Sequence, residues 1–374
     1  MRTAPPTPSA LRRANARDCV VALRDAGTAM TLAELAAATG LSRPTVDAVL
    51  EDLAGTSTVT PAPAAASGSA GRPARRFRFD PSSAAVAGLD LGAHSIRCLI
   101  TDASGQVLAR AEVPSAGTDP LAALERAVDA TGITPDAIGV AVPGILAPDG
   151  RIARSLAVPA LDGLDLAGTL AARLDRPVAV ENDIKLAALA EHHLGPAADS
   201  IVLLQLGHRI SVAVVLAGVI LQGAHRLAGE LGSQRGMRWT NSSQRGRLTW
   251  STGDDARELI ERAADGDPAA AAEIEEFCAQ IAPRLATVLL TVDPERVVVG
   301  GGLSRAGETL LAPLRRAVGR LLMTEHPPEL VPAHLTTDGA LVGALGRGFA
   351  HGSSRLSGVP DVPAPWRTLH ATLA

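Results

Sequence analysis

The sequence predicts a small helical head followed by a larger α/β body, and three observations predict it. The first eighty residues carry apolar positions at helical spacing closed by glycines, whereas from Ala84 on the apolar runs shorten to strand length and end repeatedly in polar turns. The charge divides at the same place. Residues 1–80 hold 10 arginines against 7 acidic residues, a net +3; the remainder holds 25 basic against 32 acidic residues, a net −7. The length of 374 residues suits two or three domains.

In the head, Leu11, Val20, Val21 and Leu23 lie among arginines and stop at Gly27, the pattern of an amphipathic helix over 11–26. Thr31 with Glu34 three residues on forms a capping box for a second helix that runs to Gly40. Ser42 caps a third, with Pro44 in its first turn and Val46, Val49, Leu50 and Leu53 on one face. This is the helix-turn-helix arrangement, in which a recognition helix enters the major groove N-terminus first. It makes Ser42, Arg43 and Thr45, with Asp47 beside them, the residues to reach base edges and phosphates. The alternative at this point is a three-helix packing module without DNA.

Val59-Thr60-Pro61 begins a short strand, and Arg75-Arg76-Phe77-Arg78-Phe79 alternates as its returning partner would, so the pair reads as a wing. Gly71-Arg72-Pro73 can lay Arg72 into a minor groove, and Arg75 and Arg76 are further candidates for DNA binding. The Pro/Ala/Ser/Gly stretch between the strands equally suits a solvated linker, and the wing can lead straight into it near Asp80-Pro81.

The body opens with strand, tight turn, strand, Ser-Gly turn and strand from Ala84 to Arg110. Asp90 followed by Gly92 is how an actin-like ATPase fold presents a carboxylate and backbone amides to phosphate and metal. Further strands follow at 137–146, ending in Pro143-Gly144, and at 177–183, ending in polar residues that lead into a helix. The run SIVLLQLG continues into SVAVVLAGVILQGAHRLAGELG, and RVVVGGGLSRAGETLLAPLRRAV reads as strand, glycine turn and helix. Strand-to-polar-turn transitions through both halves place ligands at strand C-terminal ends.

Taken together, GLDLG (88–92), VAVPGIL (140–146), VENDIKLAALAE (180–191), LQGAHRLAGELG (221–232) and VVVGGGLSRAG (297–307) resemble the ROK family of transcriptional regulators. The resemblance covers nearly all of residues 10–350. It implies a winged helix-turn-helix domain with linker over 1–80, a two-lobed sugar-kinase-like domain for effector binding and dimerisation over 81–355, and a C-terminal tail over 356–374. In kinases of the family the aspartate matching Asp183 is the catalytic base. Residues matching Asn182, Asp183, Glu230 and the Pro143-Gly144 loop contact the sugar.

The sequence departs from that pattern at the nucleotide. Gly207-His208-Arg209-Ile210-Ser211 replaces a small-residue phosphate turn, and Ala93-His94-Ser95 replaces the Gly-Thr-Lys of the first one. The glycines 300–302 match an adenosine-binding turn and read as structural relics. ATP is therefore not expected, and Asp183 is the relic of a base rather than a catalytic group. The family zinc site is missing as well: Ser233 stands in place of the ligand histidine, and the following segment holds no cysteine. No metal and no cofactor are predicted.

The effector pocket is expected at Pro143, Gly144, Asn182, Asp183, Lys185, His225, Glu230 and Ser233. An amide and carboxylates suit vicinal hydroxyls; the bland alternative is an inert polar cluster. Lys185, the single lysine of the chain, either reaches a phosphate or carboxylate of an effector or pairs with Asp183 or Glu181.

Composition bounds the rest. Apolar residues at 47% exclude a disordered chain, and 2% aromatic residues with no tyrosine argue against stacking of single-stranded bases. No apolar run has membrane-span length and the N-terminus lacks the order of a signal peptide, so a cytoplasmic protein without a membrane partner is expected. Cys19, Cys98 and Cys278 read as reduced core thiols. The sequence thus predicts a DNA-binding regulator, a repressor, that acts as a homodimer or dimer of dimers on a double-stranded operator and senses a sugar or sugar phosphate. Effector closing the cleft between the lobes would change the spacing of two recognition helices. The alternatives are an active ATP-dependent sugar kinase with a DNA-binding head, and a regulator that has lost sugar sensing and answers to another ligand or partner.

Overall fold

A computed structural model describes residues 7–63, 74–234, 236, 238–241, 243, 247–253 and 255–373. The helices of the head form where their caps are. α1 (Pro8–Ala26) is capped by Thr7 and ends on Gly27, starting three residues before the apolar pattern does. After β1 (Met30–Thr31), α2 (Leu32–Thr39) carries the complete Thr31–Glu34 capping box and closes on Gly40. α3 (Arg43–Leu53) is capped by Ser42 and buries Val46, Val49, Leu50 and Leu53, the face its spacing predicts. β2 (Val59–Ala62) pairs antiparallel with β3 (Arg76–Phe79), Val59 opposite Phe79 and Ala62 opposite Arg76. β1 adds to the other edge of β3, giving the order β1-β3-β2. That third strand was not visible in the sequence, where Thr31 read only as a cap. The tip of the wing, with Arg72, lies outside the described residues.

The body contains two five-stranded sheets built on one plan. β4 (Ala85–Leu91), β5 (Ser95–Asp102) and β6 (Val107–Pro114) form an antiparallel meander, followed by α4 (Pro120–Asp129) and β7 (Ala137–Val142), which runs parallel to β4. A small β8 (Ile145–Leu146) and β9 (Ile152–Arg154) pair, α5 (Leu166–Leu174), β10 (Val178–Asn182) and α6 (Asp183–Leu194) come next. β11 (Ser200–Leu206), β12 (Ile210–Leu216) and β13 (Val219–Ile220) make the second meander. α7 (Arg257–Ala264), α8 (Pro268–Val292), β14 (Arg296–Gly300), α9 (Glu308–Gly319), β15 (Glu329–Pro332), α10 (Gly339–Ser357) and α11 (Trp366–Leu373) complete the chain. The sheet orders are β10-β7-β4-β5-β6 and β15-β14-β11-β12-β13: in each, the meander is extended on one side, beginning with a strand parallel to its first. The central strands are apolar on both faces, as a sheet covered by helices requires.

The described residues belong to two compact units. One runs to Val142 and takes in Asp165–Val180 and residues from Ala344 on, so it holds the head and most of the first sheet; the other holds Pro143–Leu164 and Glu181–Gly343. The boundary therefore does not follow the expected division into head, body and tail. The segment 356–374 is no tail: Val359 and Val362 are buried in the head's apolar core with Cys19, Val20, Leu23, Leu50 and Phe77. Thr58 Oγ1 donates to the Leu356 carbonyl at 3.1 Å, and Arg24 Nη1 to the Pro363 carbonyl at 2.6 Å. The returning chain thus adds apolar surface to the core of the small head.

Candidate ligand pocket and nucleic-acid interface

The residues expected to bind an effector gather where β10 ends and α6 begins. Asn182 caps α6: its Oδ1 accepts the Lys185 backbone N–H at 3.0 Å, and its Nδ2 donates to the Gly144 carbonyl at 3.0 Å. One amide thus fixes the helix start and ties the Pro143-Gly144 loop to it. The Pro143 carbonyl accepts from Ser155 Oγ at 2.6 Å. Asp183 is the first residue of α6, at the positive end of the helix dipole, and its Oδ1 accepts the Ile184 N–H at 2.9 Å.

Behind these residues lies a network the motifs did not reveal. Glu181, 1% exposed, accepts the Asn182 N–H at 2.9 Å, Gln222 Nε2 at 2.7 Å and Arg226 Nη2. Arg226 has left-handed backbone, φ 57°, which costs a non-glycine residue about 1–2 kcal/mol. It is held at both ends: the guanidinium by Glu181, the carbonyl by Lys185 Nζ at 3.0 Å. Lys185 is 3% exposed, and its nearest carboxylate oxygen is Glu230 Oε1 at 4.0 Å. Neither partner expected from the sequence, Asp183 or Glu181, is the one it takes. Burial pushes the Glu230 carboxyl above the usual glutamate range; Lys185 pulls it down and Glu181 adds to the rise.

Of the expected pocket residues, Pro143, Gly144, Asn182, Asp183, Lys185 and Glu230 fall in one unit around the start of α6. His225 is in the same loop as Arg226 but is exposed. The side chain of Ser233 lies outside the described residues. Glu181, Gln222 and Arg226 were missed as a group; the one sign of them is a bulky cation, Arg226, within an otherwise small-residue stretch, GAHRLAG.

The turns expected to be degenerate are engaged within the chain. Asp90 Oδ2 accepts from Arg97 Nη2, its cross-strand neighbour on β5, at 2.6 Å. The Gly92 N–H donates to the Ser95 carbonyl at 2.9 Å. Between β11 and β12 the Gly207 N–H donates to the Arg209 carbonyl at 3.1 Å, and the His208 carbonyl accepts from Leu248 N–H at 2.9 Å. Gly301 answers a local structural need: its φ is 86°, and a Cβ there would lie 2.3 Å from the Leu206 carbonyl oxygen at the end of β11. Among the described residues no three His, Cys, Asp or Glu are grouped to hold a metal ion. The three cysteines are buried and unpaired, and burial pushes the Cys98 and Cys278 thiols up to about 12.

On the head, Ser42, Arg43 and Pro44 are exposed at the start of α3. Ser42 Oγ lies 2.8 Å from Thr45 Oγ1 and accepts the Thr45 N–H at 3.3 Å, so the two hydroxyls form one polar edge. Arg75 is exposed, pairs with Asp47 of α3 at 3.3 Å and lies over the Phe77 ring at 5.1 Å. Arg76 points to a structural role instead: Nη2 donates to the Ala29 carbonyl and stands 3.7 Å from Glu34, tying β3 to α2. Arg78, which the sequence reading passed over, is exposed on the same strand.

A ROK family model matches residues 86–237 and 233–346, and an IclR helix-turn-helix domain model matches residues 21–61. Relatives include a glucokinase of Thermotoga maritima, 29% identical over 55% of this chain and 77% of its own. An N-acetyl-D-glucosamine kinase of Erwinia tasmaniensis is 27% identical over 69% of this chain and 97% of its own. The fold is shared across 97% of this chain and 98% of the other with a ROK family transcriptional regulator, a homolog of the E. coli MLC protein, at TM-score 0.72 and 18% identity. A ROK family glucokinase from Streptomyces griseus, solved with glucose and AMPPNP, shares the fold over 71% of this chain and 99% of its own, at TM-score 0.60 and 22% identity.

Proposed function

The chain belongs to the ROK family, and from that premise we propose that it is a sequence-specific DNA-binding repressor whose sugar-kinase-like body senses a sugar. The observation that carries the reading is the union of an IclR-type helix-turn-helix match, folded with a wing, and a ROK body in one chain. Arg43 and the Ser42–Thr45 edge would read the major groove, and Arg75 with Arg72 would hold the backbone and the minor groove. The protein acts as a two-fold dimer in the cytoplasm on a palindromic operator. Effector acts by differential affinity for two conformations, one of which binds operator more tightly.

Phosphoryl transfer is the second reading, favoured by the kinases among the relatives. Such chemistry is mostly phosphate positioning and charge stabilisation. Against it, Asp90 is held by Arg97, and the amides of Gly92 and Gly207 donate within their own turns. No zinc is proposed either: Ser233 stands in place of the family's ligand histidine, and the segment after it holds no cysteine.

Selection of bound duplexes from random oligonucleotides tests the reading. One enriched palindrome is expected; no enrichment overturns it. ATP-dependent turnover on any sugar of a hexose and amino-sugar panel, abolished in Asp183→Asn, would instead establish the kinase. For sensing, a sugar at a hundred times its Kd adds about 2.7 kcal/mol to stability, visible as a thermal shift. No shift with any sugar would leave a regulator that answers to another ligand or partner.

A further inference from the structure

Resting on the sugar-sensing reading, the geometry points to Lys185 as a specificity-determining residue: with Glu230 it forms a slot for one neutral hydroxyl of the effector, and the slot turns away charged groups of either sign. An ammonium has three donors. Among the described residues Lys185 Nζ makes one hydrogen bond, to the Arg226 carbonyl, and its carboxylate neighbour at 4.0 Å is beyond hydrogen-bond reach. A cation this buried is tolerated only when its donors are met. A hydroxyl oxygen about 2.9 Å from Nζ and about 2.7 Å from Glu230 Oε1 would see the two at an angle near 90°, so it can accept from one and donate to the other.

The charges on its two sides make the slot selective. A phosphate or carboxylate could accept from Lys185 but would meet Glu230 as acceptor against acceptor and anion against anion. A protonated amine could donate to Glu230 but would meet Lys185 as cation against cation. A hydroxyl alone serves both. The slot is also preorganised. Lys185 is held by the Arg226 carbonyl, Arg226 by Glu181, and Glu181 by Gln222 and the Asn182 N–H. This chain accounts for the left-handed backbone at Arg226, a conformation that persists only where its surroundings fix it.

The test uses the full-length protein and calorimetric titration with glucose, galactose, mannose and N-acetylglucosamine. The sugar that binds is then replaced by its monodeoxy series and by analogues carrying phosphate, carboxylate or amine at each position. One deoxy position should weaken binding about 10- to 100-fold, the worth of a hydrogen bond to a charged group. A charged substituent at that position should weaken it further. In Lys185→Met the hydroxyl keeps only its bond to Glu230, so the penalty for the same deoxy analogue should shrink. Glu230→Gln, close in shape, should regain the phosphate or carboxylate analogue, and it decides the matter if Lys185→Met does not fold. A deoxy penalty undiminished in Lys185→Met, or charged analogues that bind the wild type as tightly as the hydroxyl, would overturn the slot alone. If none of the sugars binds, the sensing reading falls and the slot with it.

Discussion

Arg226 carries two opposed effects. Glycine would remove the left-handed strain, worth about 1–2 kcal/mol, but would also strip Glu181, 1% exposed, of its cation. Breaking a buried ion pair from one side costs about 3–5 kcal/mol. The loss wins, so Arg226→Gly should lower the unfolding free energy by about 2 kcal/mol in a urea titration; a more stable variant would show that Glu181 is satisfied without the guanidinium. Glu230 gives a pH prediction. Its carboxyl titrates above the usual range because burial penalises the ionised form. Its stabilising effect is thus fully present below the unfolded glutamate pKa and is lost as pH rises through the folded one. Glu230→Gln, which cannot ionise, should not show that decline, so the stability of wild type relative to the variant should fall with rising pH across this window. Asn182, Asp183 and Glu230 came into view in the sequence through the family resemblance, and Asn182 and Asp183 stand together at the start of α6. The left-handed turn at Arg226 and its reach back to Glu181 were not legible, because a bond over 45 residues depends on where two loops meet and not on local pattern.

At the level of elements, the helices of the head were readable because each is bounded by groups a few residues away: Thr31 and Glu34, Ser42 and Pro44, Gly27 and Gly40. Ser42→Ala removes the cap of α3 and should cost about 1 kcal/mol. It also breaks the Ser42–Thr45 contact, so operator binding should weaken more than the melting shift alone explains. The C-terminal segment was not readable, because its two valines fill a core some three hundred residues earlier in the chain. Val359→Ala and Val362→Ala should each destabilise the protein by about 2 kcal/mol, the transfer cost of two buried carbons with a cavity. An exposed tail would lose nothing. Thermal unfolding of the two variants separates the cases.

For the whole molecule, charge and coupling decide behaviour on DNA. The head is net +3 and the rest net −7, so non-specific attraction comes from few cations and is screened readily. Two arginines then differ in kind. Arg43, exposed at the recognition-helix start, should matter for operator and little for random DNA: Arg43→Ala should cost about 1–3 kcal/mol on the operator alone. Arg75, exposed beside Asp47, sits where it can neutralise a phosphate, so Arg75→Ala should weaken both DNAs alike and reduce the salt slope by about one. Equal losses for the two variants on the two DNAs would place neither in the groove. Coupling supplies the stricter test, because linkage is reciprocal: if a sugar weakens operator binding by some factor, operator must weaken sugar binding by the same factor. Titrating sugar into free protein and into the protein–operator complex measures that factor twice, from independent data. Agreement is expected if one conformational equilibrium links the pocket at α6 to the head. A sugar that binds both forms equally would bind without regulating, since a ligand with no preference between two states shifts neither.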